Sequence, residues 1–244
     1  MTSFFLLALA AFAAALGQGA TGFGFGVLSA PVLVLMMPPT AAVQVIAALS
    51  LAMSLVLVPE LLRHLDRRLM IRLVIGSAGG WPMGLVLHEL AGDALLQVLV
   101  GLTSSMLALL LLTLGPRATL HPSGRGRILA TGAASGAMTT ALAMPGPAVL
   151  AVMLLEGRSG EDVRSTLLAL FTASYAVALA LHAITPGIAS STWRTAAWLA
   201  APTLAGALAG RLLRHHLDPR LSRHIVLALL LTGGLAATAK GISG

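Results

Sequence analysis

The chain has no cysteine among its 244 residues, and it contains few charged and few aromatic ones. Without cysteine it forms no disulfide, no thiolate metal site and no cysteine nucleophile, so its redox compartment cannot be read from thiols. Only 9% of the residues are charged while 57% are hydrophobic, and a soluble domain with this balance would expose a large apolar surface. These deficits indicate a protein whose solvent is lipid.

Apolar segments recur along the chain, many of them close to the ~20 residues that a helix needs to cross a hydrocarbon core of ~30 Å. They lack the alternation of barrel strands, and a bilayer hydrates no unpaired backbone group, so helices are expected. The predicted fold class is all-α, a polytopic membrane protein. The candidate segments are residues 3–36, 41–59, 70–88, 93–114, 127–155, 163–185, 193–213 and 221–240.

The first twenty residues are similar to a secretory signal peptide, because an apolar run is followed by small residues. No basic residue precedes that run, although a basic n-region is part of such a signal. We therefore interpret this stretch as a helix of the mature protein.

The first and fifth segments are longer than one span and are interrupted in the middle. Glycines from Gly17 to Gly26 interrupt the first, and Gly132, Gly136 and the Met144–Pro147 stretch interrupt the fifth. Each segment reads as an apolar half, a break with proline, and a second apolar half. Paired interrupted segments in two halves of a chain are typical of transporter binding sites.

The third and seventh segments also correspond, since Gly80 and Gly84 match Gly206 and Gly210 at a constant offset. The chain therefore reads as one four-segment unit used twice. The predicted division is a first membrane repeat over 1–114, a cytoplasmic linker over 115–126 and a second membrane repeat over 127–244.

The formal net charge of +7 comes from Lys and Arg in short linkers, not from one patch with aromatic residues. Nucleic acid is therefore not an expected partner, and topology explains the charge better. If every segment crosses once, the Lys and Arg residues fall on both sides in similar numbers. If the fifth segment enters and returns on one side, only Arg194 and Lys240 fall outside, which favours a re-entrant hairpin.

Repeat symmetry extends the hairpin to the first segment, with halves of about 14 residues or roughly 21 Å. Each repeat then has one broken re-entrant hairpin plus three transmembrane helices, an odd number of crossings, so the two repeats are inverted relative to each other. This topology places both termini in the periplasm of a bacterial inner membrane.

The breaks are the candidate site, because irregular backbone is tolerated at membrane depth only inside protein or along a wet cavity. A helix that starts at a break directs its N–H groups and positive dipole end inward, which suits an anion. Polar side chains beside the breaks add hydrogen-bonding groups. The candidate substrate-binding residues are Gln18, Gly19, Thr21, Gly22, Gly24, Gly136, Thr139, Thr140, Pro145 and Gly146, with Ser135 as a further donor.

Two alternatives remain open for the residues around these breaks. The glycines can serve only close helix packing, which is the preferred interpretation for Gly76, Gly80, Gly84, Gly206 and Gly210. Side chains on the following segments can line the cavity or simply bond neighbouring helices. These candidates are Gln44, Ser50, Arg164, Thr172 and Tyr175, of which Arg164 is equally explained as a positive-inside anchor.

The sequence contains no recognisable enzyme motif and no metal or cofactor site. The Gly22–Gly26 stretch follows no strand and precedes no Lys-Ser/Thr, so it is not a phosphate-binding loop. The histidines do not pair at ligand spacing. His182 is the deepest titratable side chain, but a lone histidine near a helix end is more often interfacial than a proton carrier.

At its breaks the chain resembles the TauE/SafE family of sulfite exporters and related anion carriers. The resemblance lies in Gly19–Gly26 followed by Pro31, and in Gly132–Gly136 followed by Met144–Pro147. Many relatives have consecutive glycines where this chain alternates glycine with Phe23 and Phe25. The resemblance implies transport of sulfite, sulfonates or similar small anions.

The leading hypothesis is a secondary carrier that moves a small anion by alternating access. A passive anion channel could use the same hairpins, and a non-transporting membrane scaffold could use the glycines for packing alone. Transport direction, coupling ion and oligomeric state are not determined by the sequence, and a homo-oligomer stays open.

Overall fold

The structure is a computed structural model that describes residues 2–57, 65–113, 123–158, 161–185, 187–214, 216 and 219–243. This part of the chain forms helices and no strands, which confirms the predicted all-α class. Residues 115–122 of the predicted linker lie outside the described residues. The helices are α1 (Thr2–Thr21), α2 (Phe25–Met36), α3 (Pro39–Leu57), α4 (Arg67–Leu90), α5 (Asp93–Thr113), α6 (Arg125–Leu142), α7 (Gly146–Leu155), α8 (Glu161–Ile184), α9 (Ser190–Leu213) and α10 (Pro219–Ser243).

Seven of the described helices are long and apolar enough to cross a membrane: α1, α3, α4, α5, α8, α9 and α10. The helices α2 and α7 are apolar but short, with 12 and 10 residues. At ~1.5 Å per residue they cover only about half of a ~30 Å core. The chain is thus a multi-pass membrane protein with two short helices among its spans.

The two interrupted segments each form a long helix, a short break and a short helix. The helices run straight through Gly17, Gly19, Gly132 and Gly136 and end only at the residues before Gly22 and Ala143. The expectation of two equal halves of about 14 residues is wrong, because α1 has 20 residues and α6 has 18. Close packing explains the difference: neighbouring helices support glycines that would otherwise weaken a helix.

The second hairpin returns to the side on which it begins. The backbone N–H of Ser123, just before α6, donates to the Glu156 carboxylate just after α7, at 2.9 Å. Arg158 also pairs with Asp66, the N-cap residue of α4, at 3.6 Å. We call this end of the bundle, where α4 and α6 begin, the basic face.

The first hairpin ends at the other side of the bundle. Thr40, just after α2, donates its hydroxyl to Asp93 at the start of α5, at 2.8 Å. Asp93 lies three residues beyond Leu90, the last residue of α4, and α4 starts at the basic face. Because α4 is long enough to cross the membrane, the two hairpins end near opposite faces; we call the Asp93 side the opposite face.

Each long hairpin helix packs in parallel against a helix of the other half of the chain. Along α1 and α9, Phe4 stacks edge-on with Trp198, and a Cβ on Gly210 would collide with the Leu16 carbonyl. Along α4 and α6, Gly80 faces Ala133 and Gly84 faces Ala137 in the same way. The packing interpretation of these glycines is confirmed, since no side chain fits between the paired backbones.

Candidate functional site

Both long hairpin helices end at a residue in the left-handed backbone region. Gly22 has φ of 80° and Ala143 has φ of 55°. The N–H of each bonds to the carbonyl four residues earlier, Gly22 to Gln18 and Ala143 to Thr139. Glycine reaches this conformation without cost, whereas alanine does so at some strain. The two breaks therefore have the same local geometry at equivalent points of the two halves.

The short helices α2 and α7 begin on either side of the Phe171 ring. A Cβ on Gly24, the N-cap of α2, would lie 3.0 Å from that ring, and one on Gly146, the first residue of α7, would lie 3.2 Å from it. Phe171 is 1% exposed and lies near the middle of α8. The two N-termini thus meet deep inside the protein, as expected from the sequence.

Tyr175, one turn along α8 from Phe171, joins the two breaks. Its hydroxyl donates to the carbonyl oxygen of Ala143 at 2.9 Å, and its side chain is fully enclosed. A Cβ on Gly26 would collide with the same carbonyl and lie 2.5 Å from the Tyr175 oxygen. Ser50 of α3 lies beside this hydroxyl. The centroids of the Phe171 and Tyr175 rings lie 6.1 Å apart, and both rings are buried beside the breaks.

The polar side chains predicted to bind substrate form hydrogen bonds to backbone groups at or near the breaks. Gln18 accepts the Phe25 N–H at 2.7 Å and so caps α2, and Thr21 accepts the Phe23 N–H. Ser135 donates to the Pro145 carbonyl at 2.6 Å. The remaining two donate to helix carbonyls: Thr139 to Ser135, and Thr140 to Trp81 and Gly136.

Two of the candidate glycines lie against helices instead of the breaks. A Cβ on Gly19 would collide with the Ala207 carbonyl of α9, and one on Gly136 with the Ser77 carbonyl of α4. Gly22, Gly24, Pro145 and Gly146 are the predicted residues that the structure brings to the breaks themselves, and all four are buried.

Arg164, near the start of α8, reaches the first break. Its Cγ would lie 2.9 Å from a Cβ on Gly22, and its guanidinium donates to the Gly19 carbonyl at 3.4 Å. Its Nε is buried and finds no hydrogen-bond partner among the described residues. A cation therefore lies beside the end of α1, on the side of the break that is nearer the basic face.

The other two predicted lining residues do not contact the breaks through their hydrogen bonds. Gln44 donates to the Gly187 carbonyl at 3.2 Å, which places its amide at the α8–α9 connection. Thr172 donates to Leu168 of its own helix and is half-buried.

Neither Phe171, which carried no motif, nor the His88–His182 pair was predicted from the sequence. His182 is enclosed within the bundle, with 0% of its side chain exposed, and its ring centroid lies 4.6 Å from that of His88. His182 is therefore not the lone histidine that the sequence suggested, because His88 and His182 are far apart in sequence and meet only when α4 packs on α8. No group of three potential metal ligands occurs in the described part of the chain.

At the basic face, charged side chains surround a cavity of about 220 Å³ that is lined by Asp66, Arg68, Leu69, Arg72, Ser123, Ile128, Glu156 and Arg158. Burial raises the pKa of Glu156, but hydrogen bonds from Ser123 and Arg158 outweigh it and hold that pKa below its ordinary value. This cluster ties the ends of the second hairpin to the start of α4.

A family model described as sulfite exporter TauE/SafE matches residues 7–237. No curated protein and no solved structure matches the chain. The match covers both breaks and every helix of the bundle in whole or in part. The chain therefore belongs to the TauE/SafE family of sulfite exporters.

Proposed function

We propose that this protein is a secondary transporter of a small anion, either sulfite, a sulfonate or a related sulfur oxyanion, and that it works by alternating access. Membership of the family supports transport of a small anion. The main support for the mechanism is that the N-termini of α2 and α7 lie next to each other beside Phe171. Two helix N-termini that converge inside a low-dielectric core favour negative charge.

We propose that the anion binds between the breaks, close to the backbone of Gly22, Gly24, Pro145 and Gly146. Pro145 provides no side-chain cap for α7, and Pro147 in its first turn has no N–H, so the N–H groups of Gly146 and Ala148 are those left for a ligand. Gln18 stabilises the first break by accepting the Phe25 N–H, whereas the Thr139 and Thr140 hydroxyls bond to helix carbonyls. The compact conformation around Phe171 and Tyr175 is then an occluded state that opens to either face.

The proposed architecture is two inverted repeats, 1–114 and 127–244, joined by a cytoplasmic linker. The parallel α1–α9 and α4–α6 pairs and the hairpins that end at opposite faces support it. Arginines at the starts of α4 and α6 support a cytoplasmic basic face, which places both termini in the periplasm of a bacterial inner membrane. A C-terminal tag that resists external protease in intact spheroplasts would contradict this orientation.

A thermal-shift screen of the purified protein tests the substrate class. A ligand that binds only the folded state raises the unfolding temperature, and the rise grows with the logarithm of its concentration relative to its Kd. We expect sulfite or a small sulfonate to stabilise the protein, with chloride at equal ionic strength as the control. No stabilisation by sulfite, sulfate, thiosulfate or small sulfonates would contradict the proposal.

Transport measurements distinguish a carrier from a passive channel. A carrier gives saturable exchange of labelled sulfite in proteoliposomes, because each cycle moves bound substrate. Large single-channel conductances in a planar bilayer would instead indicate a passive channel.

A further inference from the structure

His88 of α4 and His182 of α8 form a buried pair at the end of the second long hairpin helix. Their rings are edge-to-face with centroids 4.6 Å apart, and both side chains are almost completely enclosed. His88 Nδ1 lies 3.1 Å from the Ala141 carbonyl oxygen, and His182 Nε2 lies 2.9 Å from that of Thr140. The pair thus forms hydrogen bonds to the last turn of α6, just before the Ala143 break.

The two carbonyl contacts fix where the ring protons are. A carbonyl oxygen only accepts hydrogen bonds, so His88 Nδ1 and His182 Nε2 carry the hydrogen atoms. In neutral rings, His88 Nε2 and His182 Nδ1 are then lone-pair acceptors. Both atoms are buried and find no partner among the described residues. Two buried, unsatisfied acceptors on rings whose centroids lie 4.6 Å apart make a site that a proton would help to satisfy.

The surroundings favour a proton over other cations. Helices α3 and α7, which pack on α8, contain no charged residue, and α6 has only Arg125 and Arg127 at its far start. Toward the opposite face, Glu89 follows His88 directly and Asp93 begins α5, so two carboxylates lie at this end of the bundle. The negative end of the α6 dipole also points toward the pair and attracts positive charge. Two nitrogen ligands without a third do not make a typical metal site.

We propose that His88 and His182 together bind one proton, and that this proton is coupled to anion movement. The coupling rests on the transport function proposed above. Protonation strengthens both hydrogen bonds to the end of α6, because charged donors bind carbonyls more tightly. It also places a positive charge one helix turn from the Ala143 break, on the same α8 that carries Tyr175. Anion and proton therefore favour each other's binding, by reciprocal linkage.

Nitrogen-15 NMR of histidine-labelled protein in lipid nanodiscs tests the site directly, with and without sulfite. The wild type should show two imidazole signals that titrate together, and sulfite should move their midpoint to higher pH. H88Q and H182Q should each lose one of these signals and change the titration of the other. H224Q removes an exposed histidine at the start of α10 and should leave these signals unchanged.

Sulfite exchange at several pH values gives the functional readout. The exchange rate should depend on pH in the same way in wild type and H224Q, while H88Q and H182Q should lose the pH dependence that the histidine pair contributes. Ionisation of sulfite is the same in all samples, so it does not affect this comparison. If sulfite binds but the two signals neither titrate nor respond to it, the proton site is wrong. If they titrate together but sulfite neither binds nor exchanges, the proton site stands and the proposed transport function fails.

Discussion

The Tyr175 hydroxyl lies 2.9 Å from the Ala143 carbonyl oxygen and donates a hydrogen bond to it. Ala143 is the left-handed residue that ends α6, and Gly26 of the first hairpin packs against the same carbonyl. One hydrogen bond from α8 therefore holds the second break, while the first hairpin closes over it. This contact links the two halves of the chain at the proposed site.

Tyr175→Phe removes that hydrogen bond and keeps the ring. A typical buried hydrogen bond contributes about 1 kcal/mol net, so we expect sulfite binding to weaken roughly fivefold. The measurement is a sulfite titration by thermal shift. Thr203→Val is the control, because the buried Thr203 hydroxyl bonds only within its own helix, to Leu199. Equal losses in the two variants would show that the Tyr175 contact has no special role.

Phe171→Leu shortens the side chain between Gly24 and Gly146. Leucine keeps an apolar side chain at this position. It destabilises the fold less than alanine, which would lower the free energy of unfolding by about 3–5 kcal/mol. We expect larger sulfonates to compete better against sulfite, since the gap between the α2 and α7 N-termini widens. Competition in a sulfite exchange assay measures this. Phe4→Leu alters a partly exposed ring on α1, and an identical change in selectivity there would contradict the assignment.

Arg164→Gln removes the cation beside the first break while retaining a hydrogen-bond donor. Opposite charges a few ångströms apart near a protein surface attract by about 1–4 kcal/mol, so we expect sulfite affinity to fall about tenfold. The loss should shrink as salt rises. Arg127→Gln removes an exposed charge from the basic face; if it weakens sulfite binding as much, Arg164 acts only through the general surface charge.

Glu156→Gln tests the contacts that Glu156 makes with Ser123 and Arg158 at the basic face. Hydrogen bonds from Ser123 and Arg158 hold the Glu156 pKa below its ordinary value near 4.5. A carboxylate with a lowered folded pKa stabilises the protein above the unfolded pKa, and loses that contribution as pH falls through the folded value. We expect the variant to unfold at a lower temperature than wild type at pH 7, with the gap closing as the pH falls below the ordinary glutamate value of 4.5. A gap independent of pH would contradict the role of the charge.

The order of the helices and the positions of the breaks followed from hydrophobic runs, glycine spacing and charge. The ends of the hairpin helices did not, because Gly19 and Gly136 look like helix breakers until the α9 and α4 backbones pack against them. Phe171 and His88 were invisible for a related reason. Their neighbours in the fold come from distant segments of the chain. The local sequence around an apolar residue or a histidine in a helix does not indicate such long-range contacts.

The most direct test of the account is labelled-sulfite exchange in proteoliposomes by wild type, Gly146→Leu and Gly79→Leu. A leucine at Gly146 would grow toward Phe171 and fill the space between the breaks, whereas Gly79 has open space around it. We expect wild type and Gly79→Leu to exchange sulfite saturably, and folded Gly146→Leu to exchange none. Exchange by folded Gly146→Leu at the wild-type rate would show that the anion does not pass between the breaks.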